Sequence, residues 1–75
     1  MRHAPKMRME LWVTQVTIVL YAHGQTSLSL LVSKSNEQSH AVWIRRSEIS
    51  VERWLDATRI ELTIPEWLAR VERLI

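Results

Sequence analysis

Seventy-five residues bound a single domain near the lower size limit for a self-sufficient core, since a chain this short buries only about 60% of the surface it exposes when unfolded. Cysteine is absent, which excludes disulfides and thiolate zinc sites and leaves large apolar side chains (four Trp, no Phe) or self-association to stabilise the fold. The hydrophobic fraction of 47%, charged fraction of 24% and net charge of +2 are those of an ordinary globular protein, and no apolar run reaches the ~18–20 residues of a membrane span.

Met1–Arg8 is basic, lacks an apolar period and contains Pro5, so it reads as a flexible basic arm. Met9–Ala22 is dense in β-branched residues, which disfavour helix and favour strand. Trp12, Val16, Ile18, Leu20 and Ala22 would share one face, and Leu11, Val13, Val19 and Tyr21 the other. Its apolar stretch imitates a secretory signal, but Glu10, Thr14, Gln15 and Thr17 interrupt it and no small-residue cleavage site follows. A cytoplasmic protein is therefore expected.

His23-Gly24-Gln25 holds the only glycine and is predicted to be a tight turn with Gly24 at positive φ. Ser27–Lys34 alternates, with Leu28, Leu30 and Val32 inward, and completes a β-hairpin. A polar turn over Lys34–Ser39 precedes a third strand, His40–Arg45. Ser47–Asp56 interleaves charged and apolar residues and fits either a short helical turn or a loop covering the sheet edge. Arg59–Ile64 alternates strictly as a strand. Pro65 then suits the first helical position, and Glu66 the positive end of the helix dipole. Trp67, Leu68, Val71, Leu74 and Ile75 form the apolar stripe of this helix, predicted to pack on Leu28, Leu30, Ile60 and Leu62. The expected architecture is α+β: a small four-stranded antiparallel bent sheet or open barrel with one C-terminal helix, a basic arm at 1–8 and a single domain at 9–75.

The chemistry-bearing residues do not form a catalytic or metal-binding pattern. His23 and His40 lie at opposite ends of the second strand, roughly 30 Å apart at ~3.3 Å per residue. No HxH or HExxH spacing occurs, the serines lack a nucleophile-elbow setting, and one glycine cannot cradle a phosphate. A non-enzyme without cofactor or metal is expected. One constellation stands out: Trp43, Arg45 and Arg46, with Arg53 beside Trp54. Arginine forks onto phosphates or carboxylates and Trp offers a stacking face, so these are the candidate partner-binding residues. The same pattern also fits core tryptophans flanked by solvated arginines. Residues 35–75 carry six arginines against seven acids, which weakens any basic field there.

Ala41-Val42-Trp43-Ile44-Arg45-Arg46-Ser47-Glu48-Ile49 resembles an AVWIPKSQI-like segment of small bacteriophage and mobile-element proteins. Ile64-Pro65-Glu66-Trp67-Leu68-Ala69 with Leu74-Ile75 resembles their PEWLA…LI terminus. The resemblance spans about the second half of the chain and departs at Arg45, where the pattern has proline, and at Arg73, where it has glycine. It implies a small phage-type accessory protein that binds a host protein or nucleoprotein complex, with anti-CRISPR inhibitors as one such class. The alternative is a small single-stranded nucleic-acid-binding module. Homodimerisation is compatible with so small a core.

Overall fold

The computed structural model describes residues 14–75; the basic arm and the start of the expected first strand, with Leu11, Trp12 and Val13, lie outside the described residues. Five strands and one helix follow in order: β1 (Gln15–Gln25), β2 (Ser29–Ser33), β3 (Val42–Arg45), β4 (Val51–Trp54), β5 (Arg59–Pro65) and α1 (Glu66–Val71). All strand pairs are antiparallel, in the order β3-β2-β1-β5-β4, and the sheet is open with β3 and β4 at its edges. The fold is thus α+β with five strands rather than the four expected. The additional strand, β4, lies in the segment that composition left between helical turn and loop. Its four residues are all exposed, so no burial period marks it in the sequence.

The β-branched run places β1 at the centre. It pairs with β5 from Gln15 to Tyr21 and with β2 from Tyr21 to Gln25. Val16, Ile18, Leu20 and Ala22 face the core as expected. The fully enclosed apolar side chains among the described residues are Leu20, Leu30, Val32, Ile44, Ile60, Leu62 and Ile64, joined by Leu68, Ala69 and Leu74 from the helical end of the chain.

Gly24 does not make the turn. It lies within β1, where the ladder slips between Ala22 and Gly24, and its φ is not positive. A Cβ there would meet Leu31 Cδ2 at 3.8 Å, an ordinary contact. The reversal comes later, at Thr26: its N–H donates to the Ser29 carbonyl at 2.8 Å, and its hydroxyl oxygen accepts the amides of Leu28 and Ser29. A threonine hydroxyl substitutes for the expected glycine as the turn-forming device. Leu28 is consequently 74% exposed and takes no part in the core.

The helix also departs from expectation. Of the predicted stripe only Leu68 and Leu74 are buried; Trp67 and Val71 are 53% and 68% exposed, and Ile75 is exposed too. A helix of six residues makes fewer than two turns, too short for a continuous stripe to be buried. Pro65 ends β5 as the N-cap instead of occupying the first helical position. Beyond α1 the chain folds back: Leu74 N–H donates to the Ala69 carbonyl at 2.7 Å and Arg73 N–H to that of Arg70 at 3.1 Å. This paired pattern is a Schellman motif, and it swings Leu74 into the core.

The motif puts Arg73 at φ 60°, where a side chain costs on the order of 1 kcal/mol relative to glycine. Arg73→Gly is therefore expected to stabilise the protein by about 1 kcal/mol in urea denaturation. A destabilised variant would show that the arginine side chain contributes more than the left-handed backbone costs.

Asp56 organises the β4–β5 hairpin. Its carboxylate accepts the amides of Thr58 and Arg59 at 2.9 and 2.7 Å, the Thr58 hydroxyl at 3.1 Å and Arg59 Nε at 2.9 Å. These donors, the Thr58 amide foremost, lower its pKa from 3.8 to about 2. The folded pKa lies below the unfolded value, so this contribution to stability is complete above about pH 4 and is lost as pH falls through about 2. A carboxyl-carbon NMR titration should give a midpoint near 2 for Asp56; a midpoint near 4 would show the turn to be open in solution.

Candidate interaction surface

The four candidate residues do not form one cluster. Trp43 and Arg45 lie on β3 opposite Leu31 and Ser29, on the sheet face away from the core. Trp43 is 53% exposed, which removes it from the core and leaves it available for contact. Arg53 lies on β4, at the opposite edge with three strands between, and its Nε is held by Glu61 at 3.0 Å. Trp54, beside it, is partly exposed and donates its Nε1–H to Glu52 at 3.1 Å.

Arg46 has a different role. It follows β3 in a 3₁₀ turn over Arg46–Glu48, and its guanidinium reaches back to the β1–β2 turn. It donates to the Thr26 carbonyl, to Gln25 Oε1 at 2.7 Å and to Glu52 Oε1 at 3.2 Å. The side chain thereby ties the β1–β2 turn to β4, and its donors are spent inside the fold.

The hydrogen-bond register of β3 follows from one bond beyond its end. Arg46 N–H donates to the Leu28 carbonyl at 2.8 Å, in register with the Ser29–Arg45 and Leu30–Ile44 pairs. Antiparallel ladders alternate, so Ile44 and Val42 bond to β2, while the N–H and C=O of Trp43 and the N–H of Arg45 point to the open edge; the Arg45 carbonyl instead opens the 3₁₀ turn. The exposed indole, the guanidinium and backbone groups directed away from β2 therefore coincide on two residues.

Charge is distributed unevenly around this edge. Arg46, Arg53, Arg59 and Arg70 each pair with an acid, the last with Glu66 at 2.5 Å. Lys34, Arg45 and Arg73 have no acid partner among the described residues. Arg45 is on β3 itself. The other two line a pocket of about 410 Å³ together with Ser35, His40, Val42, Val71, Glu72 and Leu74. The pocket lies between the β2–β3 connection, Val42 at the start of β3 and the segment that ends the helix. Val42, Val71 and Leu74 supply its apolar lining, and Glu72 is its one acid. Sequence reasoning did not single out Lys34, His40 or Arg73 for contact, because only the Schellman turn brings Arg73 to the strand.

The histidines are engaged separately. His23 Nε2 lies 2.7 Å from the hydroxyl of Ser33, which is fully buried and donates to the Ser35 carbonyl. One hydroxyl has one proton, so His23 must donate from Nε2. This links the β1 bulge to the end of β2. His40 Nδ1 is 3.3 Å from Glu37 Oε1 within a single 3₁₀ turn and its preceding residue. Among the described residues no three metal-ligating side chains converge, and no helix is long and apolar enough to cross a membrane.

Fold and surface together define a small α+β domain whose open antiparallel sheet exposes a cationic, Trp-bearing edge strand. Searches against protein-family models, curated proteins and solved structures find no match to this chain.

Proposed function

We propose that this protein acts without catalysis, as an accessory or inhibitor that binds another protein or a nucleoprotein complex. The observation that carries this reading is the coincidence on β3 of an exposed Trp43, an Arg45 without an acid partner among the described residues, and backbone hydrogen-bonding groups directed away from β2. Exposed Trp and Arg are the side chains most enriched among the energetically dominant residues of protein interfaces. The likeness of residues 41–49 and 64–75 to small phage proteins makes a host nucleoprotein effector in the cytoplasm the partner of choice, with anti-CRISPR inhibition as the particular activity.

A second reading, binding of single-stranded nucleic acid, draws on the same Trp43 with Lys34, Arg45 and Arg73. Arg45 stands on the outer face, and Lys34 and Arg73 share their pocket with Glu72, which makes a weak field for a polyanion; the protein partner therefore ranks first. Salt dependence separates the two. Nucleic-acid affinity falls steeply with salt through counterion release. The purified protein is expected to show no salt-sensitive oligonucleotide binding near physiological ionic strength, and to co-purify with a host protein after nuclease treatment. Tight, salt-sensitive oligonucleotide binding that weakens in Arg45→Ala would establish the second reading instead.

A further inference from the structure

Resting on the protein-binding reading, we infer that β3 receives an extended acidic segment of the partner as an additional strand of the sheet. Trp43 directs its N–H and C=O outward and Arg45 its N–H, the hydrogen-bonding complement of a peptide in β conformation. A strand laid there would alternate its side chains between two environments. On the outer face they meet the Trp43 indole and the Arg45 guanidinium. On the other face they meet the pocket, where an apolar side chain rests on Val42, Val71 and Leu74 and a carboxylate reaches Lys34 or Arg73. The segment's chemistry is thus extended, alternating apolar and acidic.

The other edge does not offer this. In β4 the charges are already neutralised, Glu52 by Arg46 and Arg53 by Glu61. Among the described residues the cations without acid partners, Lys34, Arg45 and Arg73, lie on the β3 side. A second copy of the chain is a poorer occupant, because it would bring two sets of Lys34, Arg45 and Arg73 together across a short interface.

The edge can be blocked without touching the ladder to β2. Arg45 has φ −72° and ψ 135°, which proline adopts without strain, and its N–H makes no bond to β2. Arg45→Pro therefore removes one edge donor and one charge, whereas Arg45→Ala removes the charge alone. The probe is an octapeptide alternating Glu and Val, followed by amide NMR shifts of the labelled protein; a Lys–Val octapeptide is the control. The Glu–Val peptide is expected to shift the amides of Trp43 and Arg45 and those lining the pocket. Its affinity should fall about tenfold or more in Arg45→Pro and by less in Arg45→Ala, with melting temperatures confirming that both variants fold. Equal binding of the Lys–Val peptide, undiminished binding by Arg45→Pro, or the same shifts produced by self-association without peptide would each overturn the inference. Host-protein capture that survives both nuclease and Arg45→Pro would keep the protein-binding reading and refute the β3 edge as its site.

Discussion

Leu62→Ala is expected to be among the most destabilising single substitutions, costing about 2–5 kcal/mol. Leu62 lies at the middle of β5, paired with Ile18 of β1 on one side and Glu52 of β4 on the other, and its side chain is fully enclosed. Truncation removes apolar contacts and leaves a cavity that two flanking strands prevent from collapsing. A domain of this size has only about 5–10 kcal/mol to lose, so the substitution would remove a large share of its stability. Trp67→Ala is the informative companion. The indole is larger, yet it is about half exposed, and its removal should cost less than about 1 kcal/mol. Urea midpoints of the two variants give the comparison. A Trp67 loss equal to that of Leu62 would mean that the helix docks through the face its sequence pattern suggests.

Arg46→Ala is expected to cost about 2–3 kcal/mol, whereas Arg45→Ala should be within about 0.5 kcal/mol of the unaltered protein. The adjacent arginines differ because one is occupied and the other is not. Arg46 is only 27% exposed and its guanidinium satisfies the Thr26 carbonyl, Gln25 and Glu52 together, so truncation leaves several partly shielded acceptors without a donor. A double-mutant cycle with Glu52→Ala isolates the ion-pair share, since the two side chains are in direct contact. An Arg46→Ala variant as stable as Arg45→Ala would show that the clamp is not formed in solution. For the same reason a joint Arg45/Arg46 substitution is a poor probe of binding: it would unsettle the β1–β2 turn along with the surface.

Much of the sheet was legible in the chain itself. The alternation of Ile60, Leu62 and Ile64 and the β-branched density of β1 dictate buried strands, because a side chain on a strand can turn only to one face or the other. The Glu66–Arg70 pair follows equally from helical spacing. The prominence of Trp43 and Arg45 was visible too, although a chain without Phe favoured placing Trp43 in the core, which its exposure overturns. These are local properties, fixed by the covalent geometry of a few consecutive residues.

Tertiary structure decided the rest. β4 exists because β5 offers it an unpaired edge, and Glu52 and Arg53 find their partners in Arg46 and Glu61, six and eight residues away. The buried face of the helix depends on where Pro65 ends its strand and where Arg73 reverses the chain, which together set the rotation of a six-residue helix against the sheet. The division of the arginines into engaged and free is likewise a property of the assembled sheet. Charge alone cannot show which guanidinium will meet a carbonyl or a carboxylate, because those acceptors are brought into range only by strand order and register.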